Sequence, residues 1–311
     1  MADHPSLPRL WGIVLAGGAG RRLQPTVERL TGAPTPKQYC SFGHPRTLLQ
    51  STVDRLTPIV PAHRTVAVVA HEETERAGAQ LRGFVGLTTL AQPLDRGTAT
   101  GILFPLTEIH RRDPNAIVVI TPADHRIAEP AVFVSGLRQA AAAVRRRPQS
   151  LVVGGAAADA PSTDLGWIVA RRGPIARGEP DIRRVERFAE KPNGTEAHAL
   201  WRAGAMWSTF VIVARVDALL ERFRRHLPVH AAWFAQYGAM ADRGEREAWL
   251  SEHYAELPAA DFSRDMLVGA QDVAVLAWPR TLGWSDLGNE RRLLDWLAAP
   301  AMLDQSTSRS A

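Results

Sequence analysis

The chain is poor in three things. It has one cysteine, Cys40, so no internal disulfide can form and a cysteine-rich metal framework is excluded. It has no apolar run near the ~20 residues that a membrane-spanning helix needs, and its first residues, MADHPSLPRLWG, lack the apolar stretch of a secretory signal. Lysine is almost missing: of 37 basic residues only Lys37 and Lys191 are lysines, and all the others are arginine. The first two absences point to a globular protein of the cytoplasm. The third singles out two positions, because a compact ammonium on a flexible stem does what arginine's planar fork does not. Both lie in motif-like settings, Pro36-Lys37-Gln38 and Glu190-Lys191-Pro192.

The net charge of +5 raises the question of nucleic acid. The arginines argue against it. Arg111-Arg112, Arg145-Arg146-Arg147, Arg183-Arg184 and Arg224-Arg225 are scattered, lack interleaved aromatics and mostly have acidic neighbours, which describes solvated helix faces. No nucleic-acid or membrane partner is expected.

The first half alternates apolar runs with helical periodicity. Strands are predicted at Gly12–Ala16, Thr65–Ala70, Gly86–Leu90, Ala116–Thr121 and Leu151–Val153, with helices at Thr47–Leu56, Thr98–Arg111 and around Val134–Val144. That alternation implies an α/β fold with a mostly parallel sheet covered on both faces. Beyond residue 160, Gly166–Arg171, Ile182–Phe188 and Met206–Val213 read as strands without a crossover helix between each pair, so part of the sheet is expected to be antiparallel. Helices follow at Val216–Phe223 and His230–His253, then a strand at Val273–Trp278 and a last helix around Leu293–Leu297. One domain over residues 8–298 is expected, with 215–298 as a smaller helical portion packed on it and a frayed tail at 302–311.

Ligands of parallel sheets bind beyond the carboxyl ends of the strands, and the polar motifs stand there. Leu15-Ala16-Gly17-Gly18-Ala19-Gly20-Arg21-Arg22 follows the first strand; its glycines let backbone N–H groups approach an anion. Gln92-Pro93-Leu94-Asp95-Arg96-Gly97-Thr98 follows the third, and Thr121-Pro122-Ala123-Asp124-His125 the fourth. Glu190-Lys191-Pro192 and Gly283-Trp284-Ser285-Asp286-Leu287-Gly288 come later. A carboxylate at a strand end, such as Asp124, suits a divalent cation, and Asp286 is a candidate second ligand. Taken singly, each Asp also fits a helix cap or turn.

The ordered set resembles the sugar-1-phosphate nucleotidyltransferases, above all the mannose-1-phosphate guanylyltransferases. The family signature is present as Leu15–Pro25 followed by Pro36-Lys37, and Gln38-Tyr39 and Arg96–Ala99 are typical of the guanylyltransferase branch. Thr121–His125, Gly166-Trp167-Ile168, Phe188–Pro192 and Trp284–Gly288 continue it over most of the chain. The resemblance implies a Rossmann-like mixed sheet flanked by helices and transfer of a nucleotidyl group from GTP to mannose 1-phosphate, with Mg²⁺ as cofactor. It implies that Leu15, Ala16, Gly17, Gly18, Gly20, Gln92, Gly97 and Thr98 bind the nucleotide. Arg22 and Lys37 would neutralise phosphate charge, and Asp124 and Asp286 would hold the metal. Gly166, Glu190, Lys191 and Ser208 would meet the sugar phosphate. Ser208 falls where many relatives carry an Asn, in Met206-Trp207-Ser208-Thr209-Phe210. The C-terminal β-helix or fused isomerase of some relatives is not expected in the short stretch after Asp286. Arg21 occupies a variable signature position. A homodimer is one arrangement open to the protein, and the alternative readings are a non-catalytic NDP-sugar-binding regulatory protein on the same fold or a transferase using another nucleotide and sugar pair.

Overall fold

The computed structural model describes residues 10–298 except position 271. The chain runs β1 (Leu10–Ala16), α1 (Gln24–Thr31), α2 (Leu48–Leu56), β2 (Thr65–Ala70), α3 (Thr74–Leu81), β3 (Thr88–Gln92), α4 (Gly97–Arg112), β4 (Ile117–Pro122), α5 (Pro130–Arg146) and β5 (Leu151–Ala157). It continues β6 (Trp167–Ala170), β7 (Ile182–Ala189), α6 (Gly194–Arg202), β8 (Met206–Arg215), α7 (Val216–His226), α8 (Pro228–Ala239), α9 (Arg243–His253), β9 (Val273–Ala277) and α10 (Glu290–Ala298). The nine strands form one mixed sheet in the order β3-β2-β1-β4-β8-β5-β9-β7-β6. Neighbouring pairs from β3 to β4 are parallel, whereas β7 and β8 run against the other strands. The mostly parallel, partly antiparallel sheet is the one the sequence implied. Because β6 also pairs with β8, the strands β8, β5, β9, β7 and β6 close on one another.

The apolar runs of β1 and β4 are continuous because both faces are covered. Trp11, Ile13, Val118 and Ile120 share one core cluster with Ile102, Leu103 and Leu106 of α4. Leu10, Val14, Ile117 and Val119 share the other with α2 and α5. β9 enters the sheet between β5 and β7, so the segment after 215 contributes to the central layer as well as to its helical cover. Burial at 5% exposure pushes the Cys40 thiol up to about 11, which leaves it an unreactive core group.

Boundaries depart from the sequence reading where turns decide them. The third strand is Thr88–Gln92 because Gly86 turns at φ +86° and extended backbone begins only beyond it. His230–His253 is two helices, broken at Met240–Asp242, where the Asp242 side chain caps α9 by accepting from the Glu245 N–H at 3.0 Å. The helices α1, α3 and α6, of eight, eight and nine residues, are additions to the sequence reading. The 302–311 expectation lies outside the described residues. Much of the scattered arginine has internal partners: Arg146 and Arg147 grip buried Glu179, and Arg111 and Arg246 flank buried Glu108.

Candidate active site

β1 and β4 are adjacent and parallel, with Leu15 opposite Pro122, so the glycine turn and the Asp124 loop leave the sheet side by side. Gly20 adopts φ +61° and opens a short 3₁₀ turn over Arg21–Leu23. The turn rests on a strut. The Gln38 side-chain amide donates to the carbonyls of Ala16 at 2.9 Å and Gly18 at 2.8 Å, and the Tyr39 hydroxyl donates to Ala16 at 3.2 Å. Gln38 thus braces the turn through two of its carbonyls.

Lys37 lies beneath this turn with 6% of its side chain exposed. Its ammonium sits 3.2 Å from Asp124 Oδ2 and donates to the carbonyls of Asp286 and, at 2.8 Å, of Leu287. Three donors meet three acceptors. One buried lysine therefore ties the loop after β4 to the loop before α10. Burial alone pushes the Asp124 carboxyl up, but the Lys37 ammonium beside it holds it below the usual carboxylate range. His125 is oriented in turn. Trp284 Nε1–H donates to its Nδ1 at 3.2 Å, and an indole can only donate, so the imidazole is neutral with its proton on Nε2. That nitrogen is 3.7 Å from Asp124 Oδ1. Burial pushes the His125 pKa down, consistent with the neutral ring. Asp286 is paired by Arg292 at 2.7 Å.

The loops enclose a cleft of about 440 Å³. Leu15, Gly17, Gly18, Gln92, Gly97 and Thr98 line one side of the predicted set. Gly166, Glu190, Lys191 and Ser208 line it too, as do Asp124 and Asp286. Four predicted residues are not in its wall. Ala16 supplies the carbonyl that Gln38 and Tyr39 grip, Gly20 shapes the turn, and Lys37 is spent on Asp124 and the two carbonyls. Arg22 is exposed and pairs with Asp164, itself a wall residue, at 3.1 Å. A larger cavity of about 860 Å³ contains none of the predicted residues, so chemistry rather than size identifies the site.

Close packing explains two of the glycines. A Cβ on Gly17 would lie 2.7 Å from Gln92 Oε1, and one on Gly166 2.9 Å from Glu190 Oε2. Gln92 itself donates to the Tyr254 hydroxyl at 2.9 Å, and burial pushes that phenol up to about 12, so it stays neutral. Lys191, Phe210 and Leu287 adopt positive φ despite carrying side chains. The first two line the cleft and the third supplies a Lys37 acceptor. Such strain gathers where a site over-determines its backbone.

Sequence reasoning missed Asp261 and Ser263, which line the cleft from the segment before β9. No periodic pattern marks that segment. Backbone bonds hold it: Ala260 N–H donates to the Arg96 carbonyl and Ala99 N–H to the Ala260 carbonyl, both at 3.1 Å. It also missed Gln38 and His125, each adjacent to a residue that was singled out.

Glu190 keeps 13% of its side chain exposed and lies 3.6 Å from the Lys191 ammonium. Burial, with Asp261 adding to it, pushes its carboxyl up; Lys191 only partly offsets this. A raised carboxylate pKa means the unfolded chain gives up this proton first, so the group costs stability as pH rises through its ordinary value of about 4.3. Glu190→Gln is therefore expected to melt slightly higher than the parent at pH 7, with the difference closing below about pH 4. Calorimetric melts at the two pH values check this.

Asp124 and Asp286 present hard oxygen donors, which suit Mg²⁺. Among the described residues no group of three or more His, Cys, Asp or Glu stands ready to hold a metal. The pair fits an ion that takes its remaining oxygens from water and substrate phosphates.

Residues 11–301 match the nucleotidyl transferase family model. The chain belongs to that family. It is 30% identical over 295 residues to the xanthan biosynthesis protein XanB of Xanthomonas campestris pv. campestris, covering 91% of this chain and 58% of XanB. It is 29% identical over 294 residues to mannose-1-phosphate guanylyltransferase of Escherichia coli K12, covering 90% and 58%. The chain thus spans under two thirds of the length of these curated relatives. The crystal structure of mannose-1-phosphate geranyltransferase from Thermus thermophilus superposes with a TM-score of 0.77 at 29% identity, covering 94% of this chain and 79% of that one. Among the described residues no helix is long and apolar enough to cross a membrane.

Proposed function

We propose that the protein transfers the guanylyl group of GTP to α-D-mannose 1-phosphate, forming GDP-mannose and pyrophosphate. The observation that carries this reading is the meeting, in one cleft, of a strutted glycine turn, two carboxylates on loops that Lys37 ties together through the Asp124 side chain and the Asp286 carbonyl, and a second wall bearing Glu190 and Lys191. A phosphate oxygen of the sugar phosphate attacks the α-phosphorus, the bond to the β-phosphate oxygen breaks, and pyrophosphate leaves. No enzyme group forms a bond, so positioning and charge neutralisation supply the rate.

In this reading the backbone N–H groups of Gly17–Gly20 receive the triphosphate, and Arg22 exchanges Asp164 for phosphate oxygens. Lys37 acts one step back, by holding Asp124 and the Asp286 loop in register. Lys191 receives the sugar's phosphate. Glu190 accepts hydrogen bonds from sugar hydroxyls, and Ser208, shorter than an Asn, leaves that corner wider. Mg²⁺ bound by Asp124 and Asp286 would offset repulsion between the two anionic substrates. The preference for GTP and mannose is supported by the Pro36–Tyr39 and Arg96–Ala99 motifs and by the E. coli guanylyltransferase relative. The nucleotide substrates and the buried lone cysteine suit the cytoplasm.

A matrix of nucleoside triphosphates against hexose 1-phosphates, read as pyrophosphate release, tests the assignment. GTP with mannose 1-phosphate is expected to give the highest kcat/KM. Turnover highest with another pair would reassign the substrates. No turnover with any pair, together with calorimetric binding of GDP-mannose, would make the protein a binder of nucleotide sugars.

A further inference from the structure

Each of the two candidate metal carboxylates of the cleft carries a resident cation before any metal arrives. Asp124 has Lys37 at 3.2 Å, and Asp286 has Arg292 at 2.7 Å. The two cations differ in what else they do. Lys37 also bonds two backbone carbonyls that join the loops, so it is part of the frame. The Arg292 guanidinium, by contrast, meets the loop before α10 at the Asp286 carboxylate and bonds none of the carbonyls that join the two loops.

Arg292 is nevertheless rigidly placed. Asn289 Oδ1 accepts from its backbone N–H at 2.9 Å at the start of α10. Its guanidinium lies 5.1 Å over the Trp207 ring, and its other terminal nitrogen reaches Ser162 Oγ at 3.4 Å. The ion pair has side-chain exposures of only 21% and 14%, so solvent screens it weakly. Behind Asp286 the backbone is equally committed: a Cβ on Gly288 would lie 2.1 Å from Asp286 Oδ2. One carboxylate oxygen thus faces Arg292 while the other closes against Gly288.

We propose that Arg292 is a built-in competitor for the metal on Asp286. It neutralises the carboxylate in the free enzyme, so a divalent cation is admitted only when nucleotide phosphates add their own negative charge. The inference rests on reading Asp286 as a metal carboxylate. The physical argument is charge count. With Lys37 and Arg292 in place the two carboxylates offer a divalent ion no net negative charge, and among the described residues no third carboxylate, His or Cys completes a set. A triphosphate supplies what is missing, in charge and in oxygen ligands. The device keeps the cleft from holding metal without substrate and makes metal and nucleotide enter together.

Free Mn²⁺ measured by electron paramagnetic resonance, with and without GTP, tests this on the intact protein. Arg292→Gln is expected to bind Mn²⁺ without nucleotide about tenfold or more tighter than the parent. With GTP present the two should agree within about threefold. Arg292→Lys keeps the charge and is expected to resemble the parent, and its thermal melt controls for folding. Adding Asp286→Asn to Arg292→Gln should erase the gain. Nucleotide-free Mn²⁺ binding by Arg292→Gln equal to or weaker than the parent's would overturn the proposal. An Asp286→Asn single variant whose Mn²⁺ binding with GTP equals the parent's would instead overturn the reading of Asp286 as a metal carboxylate.

Discussion

Lys37→Met is expected to lose both stability and turnover. The side chain is 6% exposed, and its removal leaves the Asp124 carboxylate without its cation and the carbonyls of Asp286 and Leu287 without their donor. Breaking a buried pair from one side costs about 3–5 kcal/mol. Asp124 keeps 34% of its side chain exposed, so about 3 kcal/mol is the expected size here. The sign of the pH effect follows from Asp124, whose pKa is depressed in the fold. The pair's contribution is present above the unfolded aspartate value of about 3.9 and is lost as pH falls through the folded value. Urea melts of parent and variant should therefore differ most near neutrality and converge in acid. Turnover should fall by about 10²-fold, the usual effect of shifting a catalytic group by about an ångström. Lys37→Arg should not restore it, because a planar fork cannot meet three acceptors gathered around one ammonium.

Gly97→Ala is expected to open the cleft's floor. Gly97 has φ +83°, which an L side chain rarely adopts, and a Cβ there would lie 2.2 Å from the Ala260 carbonyl oxygen. Strain and clash act together, and a loss of about 2–4 kcal/mol is expected. The neighbouring bonds transmit the displacement. Ala260 is laced to Arg96 and Ala99, and the Thr98 hydroxyl accepts from the Phe262 N–H at 2.8 Å. Asp261 and Ser263 would move out of the cleft wall with that segment. The KM for nucleotide should rise at least about tenfold, because misplacement by about an ångström is costly at a binding site. Gly18→Ala is the control for stability. No atom lies within 4 Å of its Cβ position, and its melting temperature should stay at the parent's. Equal destabilisation at 97 and 18 would contradict the packing account.

How far the sequence revealed this site depends on the kind of interaction. The strand ends were legible because buried parallel strands are continuous apolar runs, and the polar motifs stand where those runs stop. The strand predicted at Thr65–Ala70 coincides with β2, and Gly17, Gly18, Asp124, Glu190, Lys191 and Asp286 line one cleft. What the residues do to one another was less legible. The rarity of lysine marked Lys37, yet its three partners include two carbonyls, and a carbonyl leaves no trace in residue identity. The same reason hid Asp261 and Ser263, whose segment is held through backbone groups. Gln38 stood in a recognised motif, but its donation to Ala16 and Gly18 depends on a turn whose shape only the fold defines. Arg292 was one arginine among many, distinguished only by lying against Asp286 and Trp207.

The central claim is that this cleft joins a nucleotide to a sugar phosphate by direct displacement, with Asp124 held in place for it. The most direct measurement is pyrophosphate release from GTP and mannose 1-phosphate with Mg²⁺, comparing the parent with Asp124→Asn. The account predicts turnover by the parent that requires both substrates and falls at least about 10²-fold in the variant. Parent turnover that persists unchanged in Asp124→Asn, or that proceeds without a sugar phosphate, would contradict it.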